Sequence, residues 1–326
     1  MATYSGKQFE AYVGIATQNI GSEVVAGTLY KMRMPSVNDI DFSGGVQLED
    51  VERTGQRVLR PTDHIAVRGG GTYSWSFSDY VVESEAMLQL LLQLVTEDTS
   101  PSVSASMTGN QATVAYTEGA ATGEYANIVI SSPDPDKDRL MHSAILQDLT
   151  LSLDPSAHGG RLTASGTFWS GFQPDIDTEA SSANATAVDY TKGFFDCTTQ
   201  TLATNAVYMN KFDITISNPA TRAGFKTVNS NAGEPESYNR GGQISVTGNV
   251  GVKMDDNSVT MVDNFLAGTS TNISIGDGST IDFDIPTAKI SGHELDLGNE
   301  SGAFINLPFL GTADGSGVLV TIIGTT

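Results

Sequence analysis

One ordered series of local patterns runs through this sequence twice, and that repetition restricts the possible folds more than any single motif does. The series first shows as Arg68-Gly69-Gly70, a strand pattern over 72–78 and a helix pattern over 84–95. It returns as Arg240-Gly241-Gly242, a strand pattern over 243–249 and a helix pattern over 258–267. Leu88, Leu91 and Leu92 of the first helix, shifted by 174 positions, fall on Val262, Phe265 and Leu266 of the second. Both triplets have the i, i+3, i+4 spacing that lays one apolar stripe on a sheet. The same shift carries Ser84, an N-cap candidate with Glu85 in the first turn, onto Ser258; the second helix can also open at 255–257, with Gly268 as its C-cap. Upstream, Leu29-Tyr30 and Val207-Tyr208 each open a strand followed by a long polar excursion. Downstream, 102–107 matches 272–275, 125–130 matches 280–285, and 144–153 matches 288–297. We read two copies of one unit, at 1–172 and 195–326. Residues 173–194 have the polar, Ala- and Ser-rich composition of a linker.

The unit is β-rich. Short runs at 73–77, 127–131, 149–153, 162–168, 212–217, 244–250, 281–285 and 318–323 alternate apolar with polar residues or read as apolar strands. Gly, Asn, Asp and Pro cluster between them, as half-buried antiparallel strands require. The 326 residues suit about two domains. Charged residues are only 17% of the chain, so Ser, Thr, Asn and Gly must cover much of the surface. With 17 Lys and Arg against 38 Asp and Glu, the net charge is −21, which argues against gripping a nucleic-acid duplex or an anionic membrane. The single cysteine, Cys197, excludes an internal disulfide framework and a cysteine zinc site. The first ten residues lack a secretory signal pattern, and the apolar stretch 86–95 is too short to span a bilayer.

Catalytic patterns are missing. His64, His142, His158 and His293 form no HxxxH or HExxH pair, and no G-x-S-x-G elbow occurs. His158, before Gly159-Gly160, reads as a solvated loop residue. Arg68-Gly69-Gly70-Gly71 has no following Walker lysine; a turn that recurs in the second copy is architectural. Asp134, Asp136 and Asp138 have calcium-loop spacing, but Arg139 and Ile145 stand where the glycine and glutamate belong, which leaves an acidic turn. Asp255-Asp256-Asn257 fits helix capping. Trp75 and Trp169 could be sugar platforms, although alternating strands more often bury such residues. We expect no enzyme activity, cofactor or metal.

The polar excursions hold much of the scarce positive charge. The first, over 39–67, carries Arg53, Arg57 and Arg60 beside Asp50 and Glu52. The second, over 219–239, carries Arg222 and Lys226 with Glu234 and Glu236, and Arg240 follows it. Long polar loops in compact domains usually have a function. These read either as arms that find acidic patches on neighbouring subunits, or as mobile surface hairpins.

The spacing of elements in the second copy resembles the tail tube proteins of tailed bacteriophages, in particular the two-domain tube proteins of long-tailed phages. It runs from the strand ending at Ile216 through the polar arm to Gly241-Gly242-Gln243-Ile244-Ser245-Val246-Thr247-Gly248. The helix over 259–267, the strand over 281–286 and Ile305-Asn306-Leu307-Pro308-Phe309 follow. The resemblance implies a mainly β chain of two tandem β-sandwich domains, each flanked by one short helix. It implies a structural virion protein whose rings stack into the hollow tail tube, with phage DNA passing through without specific binding. The implied partners are other copies of itself and the tape measure, tail tip and tail terminator proteins, with assembly in the host cytoplasm. Two units per chain suggest three chains and six domain-equivalents per ring, the alternative being six chains with the second domain outside. Another tail protein (a terminator or hub) and a carbohydrate-binding sandwich are the competing readings. An acidic lumen wall poor in lysine would repel the phosphate backbone and let DNA slide.

Overall fold

The computed structural model describes residues 9–16, 20–21, 29–32, 38–42, 47–50, 64–67, 71–96, 103–107, 111–116, 125–177, 183–184, 188–226, 233–240, 242–296 and 303–324. The first copy begins with β1 (Glu10–Ile15), β2 (Leu29–Met32), β3 (Gln47–Asp50), β4 (His64–Val67), β5 (Tyr73–Val81) and helix α1 (Glu85–Thr96). It continues with β6 (Val103–Met107), β7 (Gln111–Tyr116), β8 (Ala126–Ser131), β9 (Asp138–Leu153) and β10 (Thr163–Ser170). The connecting stretch holds β11 (Asp175–Asp177) and β12 (Ala183–Asn184). The second copy begins with β13 (Thr199–Leu202), β14 (Asn205–Ala206), β15 (Met209–Ser217), β16 (Thr221–Phe225) and β17 (Pro235–Asn239). Then come β18 (Ser245–Lys253), helix α2 (Asp256–Ala267), β19 (Thr271–Gly276) and β20 (Ile281–Ile290). The chain closes with β21 (Glu294–Asp296), β22 (Phe304–Gly311) and β23 (Val318–Gly324).

The chain is mainly β, and each copy makes two sheet layers. In the first copy the inner layer runs from residues 38–42 through β5 and β10 to the second half of β9. Its outer layer runs β2, β1, β8, the first half of β9, β11. The second copy repeats this with an inner β15, β18, β22 and β21 and an outer β14, β13, β19, β20, β23. The 16-residue β9 serves both layers, and Ser143, with φ 50°, lies between its two halves. A strand that changes sheets at a corner needs such a local break. In the second copy the end of β20 pairs with β22 and β21 continues that pairing, so β20 and β21 together take the place of β9.

In each copy the core is closed by an aromatic ring lying over a glycine on a neighbouring strand. A Cβ on Gly166 would come within 2.9 Å of the Phe77 ring, and one on Gly248 within 2.5 Å of the Phe309 ring. Only a residue without a side chain leaves room there. Trp75 is core, as its alternating strand implies, with Nε1 donating to the Asn38 carbonyl at 2.8 Å.

The helices confirm the local reading and correct its register. Asp255 caps α2, accepting from the Ser258 amide at 2.9 Å while Ser258 Oγ accepts from the Asp255 amide at 2.8 Å, and Gly268 closes the helix at φ 67°. Asp255→Ala removes one half of this reciprocal box and is expected to lower stability by about 1 kcal/mol, readable in urea titration. Superposing the helix starts sets Glu85 on Asp256, so the true match of Leu88, Leu91, Leu94 and Val95 is Val259, Val262, Phe265 and Leu266. The 174-position shift errs by about one turn because the i, i+3, i+4 stripe repeats itself along each helix. The matches of 102–107 with 272–275 and of 125–130 with 280–285 are also corrected: β6 and β7 are an extra hairpin, and β8 is the counterpart of β19.

Candidate assembly interface

The two copies are not beads on a tether. Residues 148–153 of β9 pair with residues 212–217 of β15, with Leu151 opposite Ile214 and Thr150 opposite Thr215. The threonine hydroxyls meet across this seam at 2.8 Å. In the outer layer β23 pairs with β7. The inner layers therefore run as one antiparallel sheet through both copies, and one hydrophobic core extends under it. The connecting stretch is itself stitched in. β11 pairs with β9, β12 pairs with β2, and Tyr190 is fully buried.

Strand alternation gives this sheet two unlike faces. Trp75, Phe77, Phe168, Leu149, Leu151, Phe212, Ile214, Val246, Val250, Leu307 and Phe309 point into the core. The other face presents Ser74, Ser76, Ser165, Thr167, Thr150, Ser152, Thr215, Ser217, Thr247, Asn249 and Asn306. Asp148 and Asp213 are acidic points on it. Lys211 reaches Asp213 at 3.6 Å, and Lys253 lies 5.8 Å from the Tyr208 ring centroid. Burial pushes the Asp213 carboxyl up while Lys211 holds it back. Asp282 and Asp284 instead stand on outer-layer β20, where burial and then the mutual repulsion with Asp284 and Asp277 push Asp282 up to about 6. The polar face is thus hydroxyl- and amide-rich more than acidic.

The seam is pinned from the second copy. Arg240 donates through Nη1 to the carbonyls of Val95 at 3.3 Å, Leu146 at 3.2 Å and Asn218 at 3.3 Å, and through Nη2 to Leu94 at 3.2 Å. Asn218 Nδ2 donates to the same Val95 carbonyl at 3.0 Å. The last carbonyls of a helix have no partner of their own, and a cation suits that end. Arg240 therefore acts inside the chain, holding the end of α1 and β9 to the second copy. Arg240→Met is expected to cost about 2–3 kcal/mol in equilibrium unfolding, since it strands buried carbonyls. Arg240→Lys should recover less than half, because an ammonium cannot span the same fork.

The other arm residues divide. Arg53, Arg57 and Arg60 lie outside the described residues, although β3 and β4 of that arm pair as a hairpin. The second arm is the β16–β17 hairpin. Arg222 donates to the Gly71 carbonyl at 2.5 Å and to the Thr72 hydroxyl. Lys226 lies 5.3 Å from the Phe172 ring centroid and 3.7 Å from Glu234. Tyr238 receives the Gly171 amide at 2.8 Å and meets the Trp169 ring edge-on. This arm folds back onto the first copy at its base.

Sequence reasoning missed Asn218, Thr150, Thr215 and Leu295. Leu295, the counterpart of Leu151, is 46% exposed where Leu151 is fully buried under β15. Alternation tells which face a residue takes and says nothing of which strand lies beside it. Asp138 of the acidic turn is buried and accepts from the Ser132 amide at 2.6 Å, while Asp134 pairs with Lys137.

Among the described residues, no helix is long and apolar enough to cross a membrane. No curated protein matches the sequence. A family model for the phage tail tube protein matches residues 18–311, nearly the whole of both copies and the seam between them. That coverage, over a mainly β chain with two helices in the expected places, shows that the chain belongs to the phage tail tube protein family.

Proposed function

We propose that three chains close into a ring of six equivalent units and that these rings stack into the tube through which phage DNA is delivered. The observation that carries this is the β9–β15 seam. It joins two like units by unlike edges, and a heterologous contact of that kind closes into a ring when its rotation divides the circle. Among the described residues, the outermost segments of the joined sheet match it. Residues 38–42 pair with β5 as β15 pairs with β18, and β21 stands beside β22 as β9 stands beside β10. The 38–42 edge of one chain would then add to β20 and β21 of the next, covering Leu295 and removing the exposed edge.

The polar sheet face would line the lumen. Its hydroxyls and amides outnumber its lysines, which are Lys211 facing Asp213, Lys253 and Lys289, so little counterion release favours binding. The arms would contact adjacent rings, with tape measure, tail tip and terminator proteins setting the start, length and end. Assembly in the host cytoplasm and a non-contractile tail complete the reading. Negative-stain electron microscopy of concentrated protein tests it. Hollow tubes of regular diameter support it. A persistent monomer at all concentrations, or closed particles without a lumen, contradicts it.

A further inference from the structure

The two helices occupy like positions in sequence and fold but differ sharply in what covers them. Leu88, Leu91, Leu94 and Val95 of α1 are all 1% exposed or less. Their counterparts on α2 are not: Val259 is 44% and Leu266 73% exposed, and Val262 and Phe265 are only half buried. Part of the cause is the β6–β7 hairpin, which lies against α1 and, among the described residues, has no counterpart beside α2, and part is the seam. Helix α1 lies against β9, β6 and β7 of its own copy and also against β15 and β23 of the second copy. Asn218 and Arg240, both from the second copy, close over its C-terminal turn. Nothing described in the chain stands to α2 as the second copy stands to α1.

We infer that the Val259, Val262 and Leu266 stripe of α2 is a docking surface for the first copy of a neighbouring chain. This rests on the ring reading above and adds to it a second contact besides the sheet edge. Three features argue for this occupant. The chain already shows the covered form of the same helix, with one like unit seated on it. The stripe lies on the same side of the second copy as the open β20–β21 edge: the Phe265 ring is 5.8 Å from His293, which separates those two strands. Exposed Leu295 and Leu266 would thus be covered together by one approaching unit. Helix α2 also differs from α1 as its position demands. It keeps Thr260, Asp263 and Asn264 on the remaining side, where an outer surface would face water, and Gly268 ends it without outside help.

The test uses the full chain with two variants. Leu266→Glu should raise the protein concentration needed for tubes by about tenfold or more while leaving the thermal midpoint of the monomer unchanged, since Leu266 touches little in the single chain. Leu266→Cys carries an environment-sensitive fluorophore. Labelling is selective because the one native cysteine, Cys197, is buried and burial pushes its thiol up to about 12. The probe should shift to the blue when tubes form. Tubes that form from Leu266→Glu at the wild-type concentration, or a probe that stays water-like inside tubes, overturn this inference and leave the ring reading intact. A wild-type chain that never forms rings overturns both.

Discussion

Truncating Phe212 to alanine is expected to cost about 3–5 kcal/mol, the largest loss from any single substitution considered for this chain. Phe212 is fully buried on β15, the strand that carries the seam. Its ring lies 5.3 Å from Phe283 of the outer layer and 6.3 Å from Phe309, nearly parallel to the latter. Removing it opens a cavity between the layers and breaks two aromatic contacts, each worth about 0.5–1.5 kcal/mol beyond the area buried. Phe309 cannot collapse into the gap freely, because its ring is seated over Gly248. Denaturant unfolding reads the loss as a lower midpoint. A loss under about 1.5 kcal/mol would show that the layers close over the gap. Phe212→Leu should retain most of the stability, since it keeps much of the volume.

The second large effect depends on pH. His142 is 2% exposed on β9, 5.4 Å from the Phe172 ring, and burial pushes its imidazole down to about 4. The Gln173 backbone and then the Asp175 carboxylate oppose this, and Lys226 adds to it. The folded value lies below that of the unfolded chain, near 6.5. The native imidazole is therefore neutral, and acid protonates the unfolded chain first. Its contribution is fully present above pH 6.5 and is lost as pH falls toward 4, a change of about 3 kcal/mol. Other groups titrate in the same window; Asp282, raised to about 6, works in the opposite sense. The clean readout is the difference between wild type and His142→Leu measured at pH 7.5 and at pH 4. The variant should gain about 3 kcal/mol on the wild type across that interval. A constant difference would contradict the burial argument.

Most of the fold was legible because it is written in local periodicity. The alternation in Phe212, Ile214 and Ile216 marks β15, the Asp255–Ser258 box marks the start of α2, and Gly268 marks its end. The interface was much less so. Leu149, Leu151 and Leu153 alternate like any half-buried strand, and only the assembled sheet shows that β15 lies beside them. Arg240 reads in sequence as spare positive charge at the end of a polar arm; its four carbonyl partners come from three points of the chain that only folding brings together. The exposure of Leu266 could not be read either. A stripe of the same spacing is buried on α1, and the difference lies in what stands next to each helix.

In the proposed ring, one chain fills two of six equivalent positions around a lumen. The direct measurement is the symmetry and mass of a single ring, from rotationally averaged end-on views combined with mass per ring. The expected result is threefold averages with six similar lobes around an open centre and a mass of three chains, about 103 kDa from 34.3 kDa each. A ring of six chains, with the second copy set outside the first, would contradict it.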